Sequence, residues 1–231
     1  MIFYKVGDFM IGIIVAEVEE MEAVKEIMEN VNSIDIYDLK IYTGKINNKD
    51  FLLVRSGVGK VNAARVAQII TDNFDLSYVI NVGSAGSLNE DLKIGDIVLG
   101  ETLVQHDFDV TAFGRDKGFI PETGKFFESD KNLLEKCKNI QIDNQKIFVG
   151  TIASGDTFLT DTTLKEKIKN DFNADCVEME GAAIAQVCTL NKVPFIVIRS
   201  ISDIPNGKNE IDFNEYLKLA SKNCARFISQ L

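Results

Sequence analysis

Short apolar runs recur along the chain, several of them bounded by glycine, and they predict the strands of one buried sheet. None is longer than seven residues, which suits a strand better than a helix. The runs occupy residues 10–16, 51–54, 78–82, 97–99, 147–152 and 195–198.

Between several of these runs, apolar residues recur at helical spacing and predict helices. The predicted helices cover residues 18–29, 61–73, 164–171, 182–191 and 214–230. Because strand and helix alternate, the predicted fold class is α/β. Two strand-like stretches, 39–46 and 51–54, flank Asn47-Asn48-Lys49-Asp50, which is typical of a hairpin turn, so we expect a mixed sheet.

A chain of 231 residues can form one large domain or two small ones. No polar linker separates two halves, which favours a single domain over residues 10–231. Residues 1–9 are interpreted as an upstream extension, because the first strand pattern begins at Met10.

The segment 105–129 shows little periodicity, and a loop of that length inside a domain is usually functional or interfacial. A monomer would leave several of its aromatic side chains in water, so we expect a homodimer. These side chains are Phe108, Phe113, Phe119, Phe126 and Phe127.

Charge, hydropathy and cysteine spacing indicate which partners and which compartment suit the chain. Thirty-five acidic against 25 basic residues give a net charge of −10, which would repel nucleic acid. No apolar run is long enough to span a membrane, and the first nine residues lack the apolar stretch of a signal peptide. The four cysteines have no C-x-x-C spacing, which favours a reducing cytoplasm over a disulfide framework.

Candidate chemistry is expected where the apolar runs end, because ligands gather at the carboxyl ends of parallel strands. Five segments qualify: residues 16–20, 56–60, 83–86, 177–181 and 199–203. The segment Ser56-Gly57-Val58-Gly59-Lys60 suggests a phosphate loop, but Val61 follows Lys60 where the Walker pattern requires Ser or Thr. A tight strand-to-helix turn is the better interpretation.

Acidic residues occur in both of the last two segments. Glu178 and Glu180 are two apart in an extended stretch, so both carboxylates could face one cavity, where a ribose diol would suit them. A solvated surface pair is the alternative. Asp203 follows a buried strand and precedes a turn, which suits an acid, although an Asx-turn or a helix cap is equally open.

His106 is the only histidine in the chain. Ser-His-Asp and Cys-His mechanisms are therefore excluded unless this residue serves them, and no G-x-S-x-G motif is present. The spacing around His106 matches no zinc pattern, so we expect a structural or interfacial role and no metal site.

Four motifs, in chain order, resemble the purine nucleoside phosphorylase and nucleosidase superfamily: Gly83-Ser84-Ala85-Gly86, Ser154-Gly155-Asp156, Val177-Glu178-Met179-Glu180 and Ser200-Ile201-Ser202-Asp203. Within it, three further segments look like those of the bacterial 5′-methylthioadenosine/S-adenosylhomocysteine nucleosidases. They are Gly12–Ala16 with Glu19-Glu20, residues 56–61, and Asp109-Val110-Thr111-Ala112-Phe113-Gly114.

The resemblance implies a three-layer α/β sandwich around a central mixed sheet, a homodimer without metal or organic cofactor, and a pocket shared between subunits. It implies that Asp203, supported by Ser202, protonates adenine N7 and that Glu20 activates water. Glu180 would clamp the ribose hydroxyls. The other implied contacts are Met179 beside the sugar, Ser84 and Gly86 in the wall, Phe158 and Leu159 on adenine, and Val58, Phe213 and the neighbouring subunit's Phe113 and Pro121 around the 5′-thio group.

The implied reaction is hydrolysis of the N-glycosidic bond of 5′-methylthioadenosine or S-adenosylhomocysteine, with 5′-deoxyadenosine and aminodeoxyfutalosine not ranked against them. Adenine leaves easily only when neutral, so Asp203 must hold a proton, and apolar surroundings would raise its pKa accordingly. Glu17, Val18 and Gly181 depart from the family pattern, and Glu17 adds a third acid near Glu20.

Two other functions are weighed against hydrolysis. A phosphorylase would need cationic donors for phosphate, and the expected arginine is replaced by Asn81, with no other arginine predicted at the site. A noncatalytic nucleoside-binding module would need neither Glu20 nor Asp203.

Overall fold

The computed structural model describes residues 9–142, 145–203 and 209–231, with side chains in the last range from Tyr216 onward. Its strands are β1 (Met10–Val15), β2 (Glu29–Ile36), β3 (Leu39–Ile46), β4 (Lys49–Arg55), β5 (Leu76–Ser87), β6 (Ile97–Gln105), β7 (Phe126–Glu128), β8 (Ile147–Ser154), β9 (Cys176–Glu178) and β10 (Phe195–Asp203). Its α-helices are α1 (Val18–Lys25), α2 (Lys60–Asn73), α3 (Lys131–Lys138), α4 (Thr162–Phe172), α5 (Gly181–Asn191) and α6 (Asn209–Ile228).

The sheet is mixed, as the sequence predicts. Strand β1 runs parallel to β4 and β5, and β5 runs parallel to β10. Strand β10 is antiparallel to β6, which is parallel to β8, and β9 joins β8 back to β5. Five strands (β5, β10, β6, β8 and β9) therefore pair in a closed circuit, while β1, β4, β3 and β2 extend the sheet from one side.

The two faces of the sheet carry separate apolar clusters, which gives the predicted three layers. In β1, Ile13 and Val15 belong to one cluster and Ile14 to the other, as the alternation of a strand requires. Helices α2 and α5 pack on one face, and helices α1, α3 and α6 cover the other. A smaller cluster joins α4 to the ends of β6 and β8.

The hairpin between β3 and β4 forms at the predicted asparagines, but its turn is shorter than the predicted segment 47–50. Lys49 already pairs with Ile46, so the turn contains only Asn47 and Asn48. Both asparagines have positive φ, 49° and 62°, which a two-residue hairpin of type I′ demands and asparagine tolerates. The turn thus sets the register between β3 and β4.

Several element boundaries differ from the predicted ones for identifiable reasons. Strand β10 continues past residue 198 through five further buried residues, so burial and pairing persist where the apolar run stops. Helix α1 ends at Lys25 instead of residue 29, because Glu29 begins β2. Strand β2 is mostly exposed and lacks an apolar signal, while α3 is a short helix that Asp130 caps by accepting the Leu133 N–H.

The long segment 105–129 is more ordered than predicted and less exposed in part. It contains a 3₁₀ turn, Thr111–Phe113, and the short strand β7. The predicted exposure is wrong for Phe127, which is 2% exposed because β7 pairs with β6 and turns this ring into the core. Phe113 is 84% exposed, as predicted, and Phe126 is also exposed.

All four cysteines are buried free thiols. Burial raises the pKa of the Cys137 and Cys188 thiols to about 12, so both stay protonated and behave as small apolar side chains. Across the part of the chain that the structure describes, no helix is long and apolar enough to cross a membrane.

Candidate active site

A pocket of about 620 Å³, open at its mouth, lies at the carboxyl ends of β1, β5 and β10. The structure brings ten of the predicted site residues into its lining. They are Glu20, Val58, Ser84, Gly86, Phe158, Leu159, Met179, Glu180, Ser202 and Asp203.

Two of the remaining predicted site residues are described and are not part of that lining. Phe113 and Pro121 are exposed on the surface of the same chain and do not line its pocket. The sequence analysis assigns these two to a neighbouring subunit's pocket. The side chain of Phe213 lies outside the described residues.

Backbone amides hold the buried carboxylate of Glu20. Its Oε2 accepts hydrogen bonds from the N–H groups of Ala16 (2.9 Å) and Glu17 (3.0 Å). Its Oε1 accepts from the N–H of Ser84 (3.0 Å). Glu20 is the third residue of α1, the position from which a glutamate reaches back to its helix cap. The side chain is thereby fixed at the junction of β1 and β5.

Gly83 allows this close approach. A Cβ atom at position 83 would lie 2.7 Å from Oε1 of Glu20, closer than real contacts permit. The glycine in Gly83-Ser84-Ala85-Gly86 therefore has a steric reason, which is room for the carboxylate.

Asp203 is the last residue of β10 and is buried. The pairing register shifts between Ile201 and Asp203, and such an irregularity re-aims a side chain at a strand end. Burial raises the pKa of Asp203, and the Ser202 hydroxyl, which donates to Oδ1 at 2.8 Å, lowers it by a smaller amount. The net effect favours the protonated form compared with an ordinary aspartate.

Glu180 is a second buried carboxylate. Its Oε1 accepts the Gly59 N–H at 2.8 Å, and its Oε2 lies 3.9 Å from the Arg199 guanidinium. Burial and the neighbouring Glu178 raise the pKa of Glu180 to about 8, although Arg199 and the Gly59 N–H oppose them. Glu180 can therefore bind a proton or hydroxyl donors at neutral pH.

Glu178 also lines the pocket, but its hydrogen-bonding capacity is used within the protein. Its Oε1 accepts from the Ser154 hydroxyl, and its Oε2 accepts from the N–H groups of Glu180 (3.0 Å) and Gly181 (2.7 Å). Arg199 forms an ion pair with the same Oε2. Both carboxylates therefore line one pocket, as the sequence predicts, but that of Glu178 is bonded to groups of the protein itself.

Arg199 is the functional residue that the sequence analysis missed. It is fully buried, lines the pocket, and donates to Asn81 Oδ1 at 2.6 Å as well as to Glu178. Asn81 in turn donates to the Ile14 carbonyl at 3.0 Å. The sequence offered two signals: Arg199 is charged and follows an apolar run, and Asn81 is an amide inside another run. The expectation that no further arginine stands at the site is wrong, but this cation faces internal acceptors.

His106 is buried with its ring against Gly155, where an added Cβ would lie 2.2 Å from Nε2. Burial lowers the pKa of His106, so the ring is neutral at pH 7. Among the described residues, no group of three His, Cys, Asp or Glu side chains could hold a metal ion.

Comparison with known proteins places the chain among enzymes that cleave nucleosides. Residues 10–231 match the model of the phosphorylase superfamily. The 5′-methylthioadenosine/S-adenosylhomocysteine nucleosidase of Staphylococcus epidermidis is 42% identical over 225 residues, which cover 96% of this chain and 98% of that protein.

The solved structures that this chain resembles include enzymes of the same kind. The 5′-methylthioadenosine/S-adenosylhomocysteine nucleosidase of Neisseria meningitidis, in complex with methylthio-immucillin-A, has a TM-score of 0.92 and 38% identity, covering 96% of this chain and 97% of that one. A putative nucleosidase of the same kind from Borrelia burgdorferi, bound to adenine, has a TM-score of 0.91 and 41% identity, covering 96% and 98%. The futalosine hydrolase of Helicobacter pylori has a TM-score of 0.90 and 34% identity, covering 96% of each chain.

The fold, the paired acidic groups of the pocket and these similarities agree with one another. The chain belongs to the phosphorylase superfamily and, within it, to the family of 5′-methylthioadenosine/S-adenosylhomocysteine nucleosidases.

Proposed function

We propose that this chain hydrolyses the N-glycosidic bond of 5′-methylthioadenosine and S-adenosylhomocysteine, releasing adenine and the 5′-substituted ribose. One observation carries the assignment beyond family membership. A carboxyl group whose pKa is raised by burial, Asp203, shares one pocket with Glu20, whose position is held by backbone amides. Hydrolysis of a nucleoside needs one acid for the base and one acceptor for water.

Asp203 is proposed as the acid that donates to adenine N7. Its raised pKa suits this role, because the leaving adenine must receive a proton as the bond breaks. Ser202 supports it by donating to Oδ1.

Glu20 is proposed as the group that orients and deprotonates water. Among the described residues, only the Ser84 N–H donates to Oε1 of Glu20, and because a carboxylate oxygen can accept two hydrogen bonds, Oε1 can also accept one from water. The three amide donors keep the side chain from moving as the water attacks. Electrostatics add to this, since the anion also stabilises positive charge on the ribose ring.

Glu180 is proposed to hold the ribose 2′ and 3′ hydroxyls, with Met179 beside the sugar. A vicinal diol can donate to both oxygens of one carboxylate. Arg199 and Gly59 hold the Glu180 carboxylate without covering all of its lone pairs. Arg199 therefore acts through Glu180 rather than on the substrate.

The remaining contacts follow the family resemblance. We propose that Phe158 stacks on adenine, that the Leu159 backbone reads its edge, and that Ser84 and Gly86 form the wall. Val58 and Phe213 would enclose the 5′-thio group, joined by Phe113 and Pro121 from a second subunit of a homodimer. The strong exposure of the Phe113 ring supports such a contact.

We also propose that residues 10–231 act as one domain, preceded by an extension at 1–9, and that the enzyme works without a cofactor. Four free thiols fit a reducing cytoplasm. A place in methionine salvage is consistent with the proposed substrates.

Product analysis tests the reaction. In phosphate-free buffer, methylthioadenosine should yield adenine and a sugar with a free anomeric hydroxyl, at the same rate as in phosphate buffer. A sugar 1-phosphate, or a rate that depends on phosphate, would establish the phosphorylase alternative instead. No release of adenine under any of these conditions, with binding retained, would leave the noncatalytic binding module.

A further inference from the structure

The turn between β4 and α2, Ser56-Gly57-Val58-Gly59-Lys60, binds two carboxylates through two consecutive amides. The N–H of Gly59 donates to Glu180 at 2.8 Å, and the N–H of Lys60 donates to Oδ1 of Asp156 at 2.8 Å. Gly59 has a φ of 98°, and a Cβ there would lie 3.2 Å from the Asp156 oxygen. The turn that resembles a phosphate loop is therefore already occupied by acidic side chains of the protein.

The Lys60 side chain extends from this turn to the end of β6. Its Nζ lies 2.5 Å from Oδ1 of Asp107 and 3.2 Å from Oε1 of Gln105. The other oxygen of Asp107 accepts the N–H of Asp156 at 2.9 Å. Lys60, Asp107 and Asp156 thus form a closed ring of contacts, here called the Lys60 bridge.

The bridge joins three segments that are distant in sequence. Asp156 is held twice, through its carboxylate by the Lys60 amide and through its own amide by Asp107. Burial raises the pKa of Asp107, but hydrogen bonds from Lys60 and Asp156 and the charge of Lys60 lower it by more, so Asp107 is anionic at neutral pH. The side chain of Lys60 is only 16% exposed, so solvent screens this ion pair less than a surface pair.

Phe158 and Leu159 follow Asp156 in the chain after Thr157, before the cap of α4 at Asp161. This stretch has no regular secondary structure, so its position depends on the packing of Leu159 against α4 and on the contacts at its ends. Asp156 provides the anchor at the first end.

We propose that Lys60 is a positioning residue for substrate binding. Through the bridge it keeps the segment that carries Phe158 and Leu159 in register with the turn whose Gly59 amide supports Glu180. The adenine side and the ribose side of the pocket would thereby be held at one fixed separation. This inference rests on the proposed function, because it takes Phe158 to contact adenine.

Removing the ammonium group of Lys60 should weaken the binding of substrate and of the transition state equally, since adenine stacks on Phe158 in both. Lys60→Met keeps a long apolar stem and is expected to raise KM for methylthioadenosine ~10-fold, with kcat within about twofold of wild type, the pattern of lost uniform binding. Lys60→Arg, which can donate to both Asp107 and Gln105, should restore KM to within about threefold.

Two matched variants separate the bridge from a general loss of charge. Lys45→Met removes the ion pair with Asp50 on the β3–β4 hairpin, which does not line the pocket, and should leave KM unchanged. Asp107→Asn should raise KM like Lys60→Met, and the double variant should be no worse than either single one, because both remove the same contact. Asp107→Asn also serves if Lys60→Met does not fold.

Adenine affinity, measured by calorimetry, tests the bridge without turnover. It should fall ~10-fold in Lys60→Met with a melting temperature close to that of Lys45→Met. Unchanged KM and adenine affinity in Lys60→Met, or a fall in kcat at constant KM, would overturn the proposal. If wild type binds adenine but does not release it from methylthioadenosine, the proposed function fails, and the adenine affinities alone still decide on the bridge.

Discussion

Glu20 and the Glu178–Glu180 pair occupy one pocket, yet the protein stabilises their negative charge by different means. Three backbone amides surround Glu20, and within the described part of the chain all of its hydrogen bonds come from them. Arg199 neutralises the other region, where two carboxylates compete for one guanidinium. Amides fix the geometry of one carboxylate, whereas burial and Glu178 raise the proton affinity of Glu180, which the shared cation offsets only in part. The same residue type therefore suits two tasks, deprotonating water and holding a diol.

Removal of the shared cation should have the largest effect. Arg199→Met leaves Glu178 buried without its ion-pair partner, which is expected to lower the free energy of unfolding by about 3 kcal/mol or more. Urea titration measures this loss. Arg65→Met, which breaks the exposed pair with Asp38, is the control and should unfold close to the wild-type midpoint. Equal midpoints for the two variants would contradict the role given to Arg199.

Loss of the proposed acid, Asp203, should have the next largest effect. Asp203→Asn is expected to lower kcat at least ~100-fold, the usual scale for losing a positioned general acid, because asparagine cannot supply the proton. Steady-state release of adenine measures it, with circular dichroism as the check on folding. Near-normal turnover in a folded variant would remove Asp203 from the mechanism.

Glu20→Gln tests the region held by amides. The substitution keeps the size of the side chain but removes the base, so kcat should fall ~100-fold while adenine binding remains. An amide nitrogen would also face one of the three N–H donors, so a small loss of stability is expected. Glu19→Gln on the same helix, outside the pocket lining, should retain full activity. Comparable losses in both variants would mean that net charge, not position, matters.

Glu180→Gln tests the region held by the cation through pH. The pKa of Glu180 is raised from 4.5 to about 8 in the folded protein, so wild type loses stability as pH rises between these values. Glutamine does not titrate, so the stability of the variant should rise relative to that of wild type over that window. Urea unfolding at both ends of the window provides the measurement. Parallel curves would show that Glu180 is ionised throughout.

The smallest effect is expected from removing the Ser202 hydroxyl, which donates to Asp203. The Ser202 hydroxyl lowers the pKa of Asp203, so Ser202→Ala should raise it. Turnover requires the protonated acid and is lost as pH rises through this pKa. The alkaline limb of kcat should therefore move to higher pH in the variant. A limb that stays in place would mean that another group sets it.

Much of the fold was predictable because its signals are local. The apolar runs located the central strands, and Asn47-Asn48 marked a hairpin whose positive φ values suit asparagine. Strand β2 was missed because an exposed edge strand carries no apolar alternation. Phe127 was predicted to be exposed, and only its pairing through β7 turns it inward.

The sequence by itself determined which acidic, small and aromatic residues follow the strands, because these residues end the apolar runs. The motifs that they form resemble those of the family. Tertiary structure decided how they divide the work. Residues far apart in the chain, Arg199, Asn81 and Glu178, meet only after β5, β9 and β10 pair. Burial then sets the proton affinities of Asp203 and Glu180, since desolvation depends on neighbours from every layer of the fold.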